Sequence, residues 1–204
     1  MSLGFVVCEG DSLTSGTKAS APQYAYPAQM ELGGATVDNI GGSGEKIENT
    51  PGTEAIASLA GSGEDNRAAV LWMGINDVYA GSSAVQISGW IDDWIASVRA
   101  ADPDVRIVGC TIIPSGSTDT TAMNAVREAV NTHITTAADY DRTVDLAADS
   151  RLSDPYDTTY FDVDEVHCND TGYGVVADLV EVDLMAFGYD GFPDAPANLT
   201  LTAI

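Results

Sequence analysis

Ser12 closes the tripeptide Gly10-Asp11-Ser12, which follows the apolar run Leu3-Gly-Phe-Val-Val-Cys8. A hydroxyl is a poor nucleophile until a base takes its proton and donors hold the oxyanion that forms. Histidine is the commonest such base, and His167 lies three residues after Asp164. At that spacing a turn lets the carboxylate accept the Nδ1 proton. The bond fixes the tautomer and leaves Nε2 free to take a proton from Ser12. Asn76, in Gly74-Ile-Asn76-Asp77, brings a side-chain amide, and Gly44, closing Gly41-Gly-Ser-Gly44, brings a backbone N–H that no Cβ shields. With the N–H of Ser12 itself, these make three donors for a tetrahedral oxyanion.

The apolar pattern places these groups. Strands are expected over residues 3–8, 35–40, 68–73, 105–113 and 143–146. The run at 68–73 is continuously apolar, as in a strand buried on both faces. Helices are expected over 25–32, 53–60 and 84–101, the last with Ile87, Trp90, Ile91, Trp94, Ile95 and Val98 on one face. Its two tryptophans therefore belong to the core. Met123, Val126, Val130 and Ile134 mark a further helix, and Thr171 caps a final one carrying Val175, Val176, Leu179, Val180 and Leu184. His133 sits near the end of its helix, far from any motif, and reads as a solvated or capping residue. Alternating strands and helices give a parallel sheet covered on both faces, an α/β fold in the form of a three-layer α/β/α sandwich. The expected order of the five-stranded parallel sheet is flavodoxin-like, 2-1-3-4-5, with the ligand crevice between strands 1 and 3. Each candidate group then falls at the carboxyl edge of the sheet or in the late loop.

Four blocks in this order, Gly10-Asp11-Ser12-Leu13, Gly44, Gly74-x-Asn76-Asp77 and Asp164-x-x-His167, resemble those of the SGNH hydrolases, also called the GDSL esterase/lipase family. Asn39-x-x-x-x-Gly44 is similar to the family's second block and selects Gly44 over Gly41 and Gly42. Each tetrapeptide alone is weak, and Ser12 alone would read as a helix cap. The resemblance implies that Ser12 is the nucleophile, His167 the general base and then acid, and Asp164 the orienting acid. Ser12, Gly44 and Asn76 would form the oxyanion hole, with Asp11 and Asp77 tying loops together. It also implies a serine ester hydrolase, metal-independent and without cofactor, acting on a small-molecule or glycan ester. A short acyl group is favoured, an acetyl on a sugar above all, because no long apolar loop is present to hold a fatty chain. The alternatives are a lysophospholipase or thioesterase-type acyl hydrolase, or a glycan-binding module with vestigial catalysis.

The remaining composition narrows the partners. The formal net charge is −23, and Lys18 and Lys46 are the only lysines. Acids are spread along the whole length, so the surface repels nucleic acid and anionic membranes. It is either a plain solvated surface or an adaptation to high salt. No membrane span and no signal peptide are expected. The sequence leaves the compartment open, with an extracellular or a virion- or cell-surface-associated setting favoured. Cys8, Cys110 and Cys168 make no disulfide framework; Cys8 and Cys110 read as small buried hydrophobes, and Cys168 adjoins His167 too closely to be its nucleophile. Asp162, Asp164 and Asp170 lack the pattern of a calcium loop. Residues 1–190 are expected to form one domain, and 191–204 a linker or the start of a β-sandwich module of a longer chain.

Overall fold

The structure, a computed structural model, describes residues 4–116 and 121–187. The expected tail module at 191–204 lies outside the described residues. Five parallel strands, β1 (Phe5–Gly10), β2 (Thr36–Asn39), β3 (Arg67–Trp72), β4 (Arg106–Cys110) and β5 (Arg142–Val144), pair in the order β2-β1-β3-β4-β5. This is the expected α/β sandwich. All of β1 and all of β3 beyond Arg67 are buried, as continuous apolar runs require.

The helices are α1 (Ser12–Ser15), α2 (Tyr26–Gln29), α3 (Thr53–Ser62), α4 (Ile75–Tyr79), α5 (Ala84–Ala101), α6 (Thr121–Thr136) and α7 (Asp170–Met185). On one face of the sheet α2 packs on α7; on the other α5 packs on both α3 and α6. Side chains of β1 alternate between the two layers. Glu9 reaches Trp94 of α5, and Cys8 lies against Tyr26 of α2. Trp94 is fully buried and Trp90 partly so, which places both in the core.

The structure corrects several boundaries. β1 runs on through Glu9 and Gly10, because Glu9 buries its carboxyl against the Trp94 indole N–H. The helix expected over 25–32 is one turn, since Met30 turns extended after it. The last helix is capped by Asn169 rather than Thr171: the Asn169 Oδ1 accepts the N–H groups of Thr171 and Gly172 at 3.0 and 3.1 Å. β1 and β4 are separated by β3, and Cys8, Cys110 and Cys168 are free and buried. No helix among the described residues is long and apolar enough to cross a membrane.

Candidate active site

Ser12 is set by the end of β1. Asp11 caps α1, its Oδ1 accepting the Leu13 N–H at 2.9 Å, so Ser12 is the first helical residue and stands at the sheet's carboxyl edge with 7% of its surface exposed. Gly10 permits this tight exit: a Cβ there would meet Thr14 Oγ1 at 2.1 Å and the Trp72 carbonyl oxygen at 2.4 Å. The loop before α7 supplies the other two groups. An antiparallel bridge between Phe161 and Cys168 closes it, with the Asp162 N–H donating to the His167 carbonyl at 2.8 Å. Within that loop Asp164 Oδ1 accepts the N–H groups of Val166 and His167, each at 3.0 Å. Asp164 Oδ2 accepts the His167 Nδ1 proton at 2.8 Å, and the Ser12 hydroxyl donates to Nε2 at 2.8 Å. Partial burial pushes the Asp164 carboxyl up, but the His167 backbone N–H, the imidazole and the Val166 N–H outweigh it and leave the carboxyl below its usual range. A carboxylate so held keeps the imidazole in the tautomer whose bare Nε2 faces a hydroxyl.

The candidate donors come from the starts of α1 and α4 and the loop after β2. The Ser12 N–H, at a helix start, has no intrahelical acceptor. In the loop after β2, Asn39 Oδ1 takes the Gly41 N–H at 3.0 Å, and the Gly10 carbonyl takes the Gly42 N–H at 3.0 Å. The Gly44 N–H has no partner among the described residues, and the residue's φ of +80° is one that glycine adopts without strain. The Asn76 amide donates to the Glu45 carbonyl at 2.8 Å. Asp77 ties this loop down, accepting the N–H groups of Ile47 and Glu48 at 2.9 and 3.2 Å.

The family model for the GDSL-like lipase/acylhydrolase family matches residues 8–175. The chain belongs to that family. Membership makes it a carboxylic ester hydrolase acting on ester substrates. Solved structures of the same fold include an acetyl esterase mutant with an acetate ion, 22% identical at a TM-score of 0.67, covering 90% of this chain and 97% of that one. A carbohydrate esterase family 3 protein from Talaromyces cellulolyticus is 23% identical, with the same TM-score and the same two coverages. A lipase/acylhydrolase from Enterococcus faecalis is 15% identical at a TM-score of 0.69, covering 90% and 96% of the two chains. At these identities the likeness shows the fold. No curated protein sequence matches the chain significantly.

Around the GDSL blocks the other candidates take separate places. Cys168 is fully buried, and burial pushes its thiol up to about 12, so it packs rather than reacts. His133 lies in the last turn of α6, its Nε2 2.8 Å from Asp92 Oδ1 on α5. Asp170 accepts the N–H and hydroxyl of Ser20 at 2.7 and 2.5 Å. Asp162 pairs with Lys18 at 3.3 Å, and the same Nζ is 3.7 Å from Asp164 Oδ2. Sequence reasoning missed Lys18; its one signal there is rarity, as one of two lysines. It also missed Glu9, which is 2% exposed at the inner end of a cleft of about 210 Å³ running past Gly44, Glu45, Lys46 and Asn49. Burial pushes the Glu9 carboxyl up to about 7, against the lowering effect of the Trp94 N–H at 2.6 Å.

Proposed function

We propose that the protein is a serine hydrolase of short-acyl esters, with Ser12 as nucleophile, and that its substrate is an O-acetyl group on a carbohydrate. The observation that carries the reading is the unbroken run of two 2.8 Å hydrogen bonds from Ser12 through His167 to Asp164. As Ser12 Oγ attacks the ester carbonyl, His167 Nε2 takes its proton, and Asp164 stabilises the imidazolium. The N–H groups of Ser12 and Gly44 and the Asn76 amide hold the tetrahedral oxyanion. Collapse expels the alcohol, which leaves with the proton from His167, and Ser12 keeps the acyl group. Water deprotonated by His167 then attacks the acyl-enzyme, and the acid departs as Ser12 recovers its proton.

The substrate class has two supports. The fold is shared with an acetyl esterase and with carbohydrate esterases. The cleft beside Gly44 is lined by Glu45, Lys46, Asn49, Thr50 and Thr53, which suit a hydroxylated alcohol better than a fatty chain. The test is hydrolysis of p-nitrophenyl esters from acetate to decanoate beside acetylated xylo-oligosaccharides. Acetate turned over well ahead of decanoate, and acetate released from the oligosaccharides, are the expected results. A preference for decanoate would overturn the acyl assignment; activity on p-nitrophenyl acetate with no release from any acetylated sugar would overturn the carbohydrate assignment.

A further inference from the structure

Among the described residues, Lys18 (φ +74°) and Glu165 (φ +62°) are the two non-glycine residues in the left-handed region, and both adjoin Asp164. Such a conformation is costly for a side chain with a Cβ and persists where the surroundings over-determine it. The segment around Lys18 is held in that way. The Thr17 N–H donates to the Ser12 carbonyl at 2.9 Å, and the Thr17 carbonyl accepts the hydroxyl of buried Tyr173 at 2.7 Å. Ser20 is fixed to the start of α7 through both oxygens of Asp170. Lys18 is thus pinned from both sides with its ammonium over the acidic loop, 3.3 Å from Asp162 Oδ1 and 3.7 Å from Asp164 Oδ2. That last oxygen is also the one that accepts the His167 Nδ1 proton.

We propose that Lys18 is a positioning residue of the relay, holding Asp164 in its His167-facing geometry and offsetting the field of the surrounding carboxylates on the imidazole. The inference rests on reading Ser12, His167 and Asp164 as that relay. The charged groups on the segments that meet at the imidazole are Asp162, Asp164 and Glu165 of its own loop, Asp11 at the cap of α1, Asp170 at the start of α7, and Lys18, which pairs with Asp162 and Asp164. Every one but Lys18 is an acid. Carboxylates favour the imidazolium, which in the resting enzyme is the inactive form of the base. A cation on the shared Asp164 oxygen opposes that pull. The ammonium is itself held above its ordinary range, first by its hydrogen bond with Asp162 and then by the Asp162 and Asp164 charges. The chain's other lysine, Lys46, pairs with Glu48 at 2.8 Å, away from this oxygen.

The test compares wild type with Lys18→Met, Lys18→Gly and Lys18→Arg. Two quantities are read: the pH profile of kcat/KM on p-nitrophenyl acetate, and the NMR titration of the His167 imidazole, told from His133 by a His133→Gln variant. In Lys18→Met and Lys18→Gly both midpoints move to higher pH, by no more than about half a unit for an exposed charge. Lys18→Arg stays near wild type, and the differences shrink in about 1 M NaCl. Lys18→Gly adopts the left-handed backbone without strain, so it reports on the charge even where Lys18→Met fails to fold. Midpoints that overlay wild type in both uncharged variants, or that move equally in Lys18→Arg, overturn the proposal. The NMR titration needs no turnover: if the Ser12→Ala variant retained activity, the relay reading would fail while the effect of Lys18 on His167 stayed measurable.

Discussion

Asn76 donates one hydrogen of its side-chain amide to the carbonyl of Glu45 at 2.8 Å, which leaves its second N–H to point elsewhere. The bond ties the amide to the residue that directly follows Gly44, whose N–H is free among the described residues. In the oxyanion site proposed above, a donor so fixed would act on charge that develops only in the transition state. Asn76→Ala is therefore expected to lower kcat about 10²–10³-fold with little change in KM. Steady-state kinetics on a short-acyl ester checks this, and an unchanged kcat would remove Asn76 from the oxyanion site.

Ser12→Ala deletes one oxygen at a position with little exposed surface. Turnover is expected to fall by at least about a thousandfold, while the melting temperature changes little. Activity surviving in a folded variant would take the nucleophile's role from Ser12.

Asp164 accepts the imidazole proton and two backbone N–H groups, and its carboxyl lies below the usual carboxylate range. Its contribution to stability is therefore present above its unfolded value and lost as pH falls through the lower folded one. Asp164→Asn is expected to cut kcat by about 10³–10⁴-fold while the protein stays folded at neutral pH. For the wild type, kcat/KM is expected to fall on the acid side if His167 is the base. A profile flat from about pH 5 to 8 would contradict a histidine base.

Glu9 gives a linkage of the opposite sign. Burial raises its carboxyl from 4.5 to about 7. Between those values the folded state binds more protons than the unfolded one, so this group lowers stability as pH rises from about 4.5 to about 7. Glu9→Gln keeps an acceptor for the Trp94 N–H and removes the ionisation. It is expected to stabilise the protein at pH 8 by about 1–3 kcal/mol and to gain little near pH 4. Urea unfolding at the two pH values checks the difference; an equal effect at both would refute the linkage.

The formal net charge of −23 implies self-repulsion that salt screens. The melting temperature is expected to rise between about 0.05 and 1 M NaCl. No rise across that range would mean that the acids are spaced too widely to matter.

The four blocks were legible because their chemistry needs particular residue types on short contiguous loops. Gly10-Asp11-Ser12 and Asp164-x-x-His167 carry their geometry within a few residues. The sheet order was legible for a related reason: buried strands are continuous apolar runs, and right-handed crossovers leave few ways to arrange them. Trp94 could be assigned to the core from helical spacing, whereas its bond to Glu9 could not, since the partners lie on different elements.

Residue types, their order and the periodicity of apolar positions were fixed by the polymer alone, and with them the fold class and the candidates for the reactive groups. Folding in three dimensions decided which polar groups stay unpaired. The N–H groups of Gly41 and Gly42 are taken up by Asn39 and Gly10, while that of Gly44 is left open, though all three glycines share one short stretch. Asn169 rather than Thr171 caps α7, and Lys18 meets Asp164 only because Tyr173 and Asp170 dock its loop on that helix. The physical reason is competition: each donor or charge pairs with whatever acceptor packing brings within reach, and those acceptors come from segments far apart in the chain.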